Sequence, residues 1–159
     1  MTEETLLAIL QEELYPEPYP EITPPPGRIS KLLMRPSGGG ARYVLAVSPW
    51  KQETTALAEL GGIRRCVGAA LDASLFRGVG LIVLWHGPRN DWQSAAGELS
   101  PDKIGLRSTI VQGIIFVDLD TGDIHTRRSS WGPIKFGNFQ GQFTRINEVL
   151  ERTFGAKRD

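Results

Sequence analysis

The residues best suited to chemistry fall within one short stretch, where Asp118, Asp120 and Asp123 precede His125. Alternating carboxylates and an imidazole converge on hard or borderline metal ions in many proteins. A calcium loop counted from Asp118 needs glycine at its sixth place and glutamate at its twelfth. Those places hold Asp123 and Ser129, so the spacing fails. Asp-Thr-Gly-Asp instead reads as a hairpin turn, in which aspartate bonds the local backbone and glycine supplies positive φ. His86 ends an apolar run and precedes Gly87 and Pro88. A general base needs a nucleophile or an orienting carboxylate, and nearby in sequence only Asp91 offers one. Cys66 lies two positions or fewer from Arg64 and Arg65; it reads as a buried, inert packing residue, with a stabilised thiolate as the alternative. Gly61 and Gly62 before Ile63, Arg64 and Arg65 suggest a helix start facing an anion, but they lack the Gly-Lys-Ser/Thr ending of a phosphate loop.

Two aromatic segments fit recognition better than catalysis. Trp92 lies in a long connection from Gly87 to Ser108, and long ordered connections commonly bind or cover something. Trp131 stands among Arg127, Arg128 and Lys135, with Arg107 upstream. Flat aromatic and cationic groups side by side stack bases, hold phosphate or anchor protein interfaces. The plain alternative is that Trp131 plugs the core while the cations stay in water.

The elements that must position these residues follow from patterning. Thr2 caps a helix whose Leu6, Leu7, Leu10 and Leu14 share one face, covering residues 1–14. Six prolines from Pro16 to Pro26 make residues 15–27 an extended spacer. A stiff spacer lets the leucine face either dock on another chain or fold back. Residues 28–155 form one α+β domain around a single core, and 156–159 a frayed tail. Within it, Ile29–Met34 and Arg42–Val47 form a hairpin around the glycines at 38–40. Ser48 and Pro49 start a helix, or Gly61 and Gly62 mark its true beginning, with Leu60, Ile63, Val67, Leu71 and Leu75 as its apolar stripe. Gly78–Trp85 is a strand covered on both faces, Thr109–Val117 a second, and Ile124–Arg128 a more polar one near an edge. Asn138 caps a last helix carrying Phe139, Phe143, Ile146, Leu150 and Phe154, with Gly155 just past its end.

This gives the order α-β-β-α-β-β-β-α and a mostly antiparallel sheet of about five strands with covering helices. The order is similar to that of roadblock and profilin-like domains, which are largely binding and dimerisation modules; the likeness is one of element order.

Composition narrows the function classes. Eighteen basic and 18 acidic residues among 159 give no formal net charge, so no overall field draws nucleic acid or anionic lipid. One cysteine excludes an internal disulfide and suits a reducing compartment, and the acidic N-terminus and lack of a long apolar run suit a cytoplasmic, soluble protein without a membrane partner. The resulting expectation is a non-catalytic protein-interaction or regulatory module, self-associating and without cofactor or metal. Trp92, Arg107, Arg127, Arg128, Trp131 and Lys135 are its binding residues, and Leu6, Leu7, Leu10 and Leu14 its partner helix. A nucleic-acid-binding module using the Arg/Trp patch is the first alternative. A small hydrolase or transferase with His86 or His125 as acid or base is the second.

Overall fold

A computed structural model of the chain describes residues 1–14, 19–36, 42–74, 77–104, 108–130 and 139–155. Four helices cover the two faces of one six-stranded sheet, whose strands lie side by side in sequence order. The strands are β1 (Glu21–Ile22), β2 (Lys31–Pro36), β3 (Arg42–Pro49), β4 (Val79–His86), β5 (Thr109–Val117) and β6 (Ile124–Arg128). The helices are α1 (Glu3–Glu13), α2 (Ala56–Ala70), α3 (Arg89–Glu98) and α4 (Phe139–Gly155).

The fold is α+β, but the sheet is mixed. β3, β4 and β5 run parallel, flanked by antiparallel β1 and β2 on one side and β6 on the other. The expectation of a mostly antiparallel sheet missed that the helix read between β3 and β4 is a crossover, and that the Gly87–Ser108 connection is not a loop. It contains α3 and a 3₁₀ turn, Pro101–Ile104, and so spans the sheet to start β5 beside β4 in the same direction. The added β1 and α3 also depart from the element order that suggested the roadblock and profilin-like likeness.

Parallel neighbours need crossover connections, and right-handed crossovers that step repeatedly the same way place their helices on one face. Accordingly α2 and α3 share a core with Leu32, Val44, Ala46, Leu81, Val83, Trp85, Ile114 and Phe116. The opposite face receives α1 and α4 over Leu33, Leu45, Val47, Ile82, Leu84, Ile115 and Val117. Alternation along each strand assigns these residues to their faces. The single core read from the sequence is therefore two, one on each side of the sheet.

A bulge corrects the alternation in β5. Leu81 pairs with Val111 but Ile82 pairs with Gly113, leaving Gln112 as the extra residue. Val111 faces the α2 side, and beyond the bulge so do Ile114 and Phe116. Glycine is required at 113 because an added Cβ would lie 2.2 Å from the Phe143 ring of α4.

Local signals explain the helix starts. Thr2 accepts the Thr5 N–H and Thr55 the Ala58 N–H, each capping its helix. The start of α2 at Thr55 corrects the reading at Ser48 and Pro49, which end β3, and at Gly61 and Gly62, which lie inside the helix. Buried Glu59 orders the approach to α2 by accepting from the Glu53 and Thr54 N–H groups and the Thr54 hydroxyl, while pairing with Arg28.

The leucine face of α1 folds back. Leu6, Leu7, Leu10 and Leu14 are all buried beside Val149, Leu150 and Phe154 of α4. Each such leucine contributes about 1.5–3 kcal/mol by leaving water. The stretch expected to be an extended spacer also joins the body: Glu21 and Ile22 pair with β2, and Tyr19 is buried with its hydroxyl 2.6 Å from Gln142 Oε1.

Candidate functional site

Two regions carry the polar groups that the fold concentrates: the carboxyl ends of the parallel strands and the outer edge of β6. Open sheets containing parallel strands commonly bind ligands beyond their carboxyl ends. Here Pro49, His86 and Val117 end β3, β4 and β5 side by side.

His86 has the carboxylate that its neighbourhood in sequence did not offer. The partner is Glu3, in the first turn of α1, with Oε2 2.6 Å from His86 Nε2. The same Oε2 accepts the Ser30 hydroxyl at 2.7 Å, and that hydroxyl also lies 3.0 Å from the Val47 carbonyl oxygen. Both side chains of the pair are largely covered, 17% and 15% exposed. One carboxylate oxygen thus joins the start of α1, the approach to β2 and the end of β4. The hydroxyl engages the carboxylate rather than the imidazole, an order unlike that of a nucleophile activated by histidine. Asp91, the partner proposed from sequence, instead accepts the Trp50 indole N–H through its carbonyl.

Asp118 fills the next place along this rim. One of its oxygens accepts from Asp120 and Thr121 N–H groups, and the other from the Arg89 N–H at the start of α3, at 2.9 Å. Burial would raise its pKa, but the main-chain N–H groups of Arg89, Thr121 and Asp120 prevail and hold it below the usual carboxylate value. A helix N-terminus that would attract an external anion is occupied by the chain's own carboxylate. Asp123 turns to Thr121, whose hydroxyl donates at 2.9 Å, and to Arg89 at 3.3 Å. Among the described residues no group of three His, Cys, Asp or Glu side chains is placed to hold a metal ion.

Beneath the rim lies an aromatic cluster. Trp85 stacks on Phe116 with centroids 5.1 Å apart, and Trp50 meets both edge-on. Trp92 stacks on Phe116 at 5.5 Å and donates its indole N–H to the Gly87 carbonyl. At 3% exposed, Trp92 is a core residue of α3, and the little of it left uncovered borders the cleft between α3 and β6. Trp92, Ala95 and Ala96 form the buried stripe of α3, and the small alanines made that stripe hard to see in the sequence.

Of the other expected binding residues, Arg127 and Arg128 are both exposed on β6 and, as neighbours along a strand, lie on opposite faces of the sheet. Arg107, Trp131 and Lys135 lie outside the described residues. Leu6, Leu7, Leu10 and Leu14 lie in the chain's own core, so the fold-back reading of α1 replaces that of a partner helix. Cys66 is exposed, correcting its reading as a packing residue. The Gly61–Arg65 stretch offers no helix start, since α2 begins five residues earlier at Ala56.

β6 is the last strand of the sheet, and its ladder dictates which main-chain groups face outward. Asp118 N–H donates to Asp123 O and Ser129 N–H to Gln112 O, both at 2.8 Å. In an antiparallel ladder the bonded residues alternate. Residues 123, 125, 127 and 129 therefore turn their N–H and C=O toward β5. Ile124, Thr126 and Arg128 turn theirs away from the sheet.

Two shallow clefts flank this edge. On the α4 side, one of about 360 Å³ is lined by Gly122, Ile124, Thr126, Glu151, Phe154 and Gly155. On the α3 side, one of about 410 Å³ is lined by residues including Arg89, Gln93, Asp123 and His125. Burial, then the Arg127 charge, push the His125 pKa down, outweighing a hydrogen bond to the Ala96 backbone. Sequence reasoning missed Glu3 and Glu151 because neither stands near its neighbours in the chain. Among the described residues no helix is long and apolar enough to cross a membrane. Compared with known protein families, curated proteins and solved structures, the chain matches none.

Proposed function

We propose that this chain is a non-catalytic protein-interaction or regulatory module whose contact surface is the outer edge of β6. The observation that carries this reading is the row of outward main-chain groups at Ile124, Thr126 and Arg128, with Arg127 and Arg128 exposed beside it. A strand edge recruits an extended partner through main-chain hydrogen bonds, and the flanking side chains set its identity. Among the described residues Leu57 is the one large exposed hydrophobic, at 39%, so these residues offer no apolar interface. The carboxyl-end rim supports the same reading, because Glu3, Asp118 and His86 already engage each other or the backbone.

A photo-crosslinking residue at position 128, compared with one at 57, tests this in cells. Protein adducts from 128 and not from 57 are expected. Nucleic-acid adducts from 128 would replace this reading with a polyanion-binding edge built on the two arginines, and an absence of adducts from 128 would remove it.

The His86–Glu3 contact favours a second reading, acid–base chemistry in a small hydrolase or transferase. That reading requires a ligand to displace the Ser30 hydroxyl or approach the imidazole, and to perturb the His86 ring signals in an NMR titration against a panel of esters, amides and phosphoesters.

A further inference from the structure

We infer that the occupant of the β6 edge is a second copy of the same chain, paired antiparallel about Thr126. The inference rests on the edge reading above and names its partner.

Outward residues alone can form the new ladder, so a two-fold axis passes through one of positions 124 to 128; an axis at 125 or 127 pairs only two outward residues of the strand, and at 127 it sets Arg127 against itself. An axis at 128 sets Arg128 directly against itself, and like charges opposite one another are unfavourable. An axis at 124 extends the pairing past the strand into the turn at Gly122. An axis at 126 uses the whole strand. Thr126 then meets Thr126, a favourable cross-strand pair, and Ile124 meets Arg128 twice by symmetry. Each such facing pair exchanges two main-chain bonds, giving about six across the edge.

The flanking clefts fit the side chains that this register delivers. Arg128 of the second copy lands beside Ile124, on the α4 face, where Glu151 lines the cleft. Glu151 is exposed and its nearest partner is the Asn147 amide at 2.7 Å, so it remains open to a cation. On the α3 face Arg127 of the second copy stands opposite His125, with Asp123 of the other cleft on its diagonal. Asp123 is already held by Arg89 and Thr121, and the other diagonal neighbour is the symmetry-related Arg127, so this face contributes little. Arginine meets an open carboxylate on the α4 face, and the symmetry doubles that contact.

Light scattering on the purified chain should give twice the monomer mass, falling toward the monomer as salt is raised. Thr126→Pro removes an outward N–H and leaves the β5 ladder intact, as edge strands allow. It should be monomeric, with a melting temperature that no longer depends on concentration and lies close to that of the dilute wild-type chain, while Thr126→Ala, which keeps the N–H, stays dimeric. Arg128→Glu should weaken association at least tenfold, and adding Glu151→Arg should restore it. The charge exchange decides the matter should the proline variant fail to fold. A wild-type chain that is monomeric at every concentration, or a dimer indifferent to both Thr126→Pro and the charge exchange, overturns the inference. Protein adducts from position 128 alongside a monomeric purified chain would leave the edge reading standing with a different partner.

Discussion

The carboxyl ends of β3, β4 and β5 and the outer edge of β6 differ in what their polar groups are doing. At the first, Glu3 joins His86 to Ser30, Asp118 holds three main-chain N–H groups, and two indoles donate to carbonyls. At the second, alternate main-chain groups of a five-residue strand point away from the body. Position in the fold marks the strand ends as the usual place for a ligand, yet internal bonding has filled it. The lesson is that a site is recognised by what its groups leave unsatisfied, and here that criterion selects the edge.

Proline substitution along β6 sharpens this contrast most. Arg127→Pro removes an N–H directed at β5 and should cost about 3 kcal/mol or more in urea unfolding, whereas Thr126→Pro one residue away should cost less than about 1 kcal/mol. Equal losses at the two positions would break the inward–outward assignment. At the strand ends, Asp118→Ala strands three N–H donors and should cost about 2–3 kcal/mol. It should leave self-association intact once the fold is stabilised by osmolyte. Smaller again, Trp92→Phe loses one indole hydrogen bond, an expected cost of about 1 kcal/mol, with no change in association; weakened association would mark Trp92 as a contact residue. His86→Ala should act locally, loosening α1 as read by faster amide exchange at Leu6–Leu10 while the protection of β4 persists.

The smallest expected effect is a pH dependence at His125. Its folded pKa lies below the ordinary value because of burial and then Arg127, so the unfolded chain takes up the proton first. The stability it contributes is present above about pH 6.5 and is lost as pH falls through the lower folded value. His125→Gln should flatten that part of the stability profile.

Much of the fold was legible from patterning. The apolar run Gly78–Trp85 announced a strand covered on both sides, and β4 carries Leu81, Val83 and Trp85 to one core and Ile82 and Leu84 to the other. The turn after Asp118 and the cap at Thr2 likewise follow local rules. What escaped were features with weak local signatures. α3 lacks a side-chain cap at Pro88 and buries mainly alanine beside its tryptophan, and β1 is two residues long in a proline-rich stretch. The parallel pairing of β4 with β5 could not be seen once α3 was taken for a loop, whereas the helix read between β3 and β4 already allowed theirs. For the sites, Arg127 and Arg128 were visible as a charged strand end, but their orientation depends on ladder register, and the Glu3–His86 contact spans 83 residues.

The packing of α1 on α4 has a consequence for biogenesis. The leucines of α1 leave the ribosome about 140 residues before Val149, Leu150 and Phe154, which cover them. At about 5–20 residues per second the interval is roughly 7–28 seconds. Throughout it an amphipathic segment waits uncovered on the nascent polypeptide, a natural target for a chaperone until translation delivers its cover.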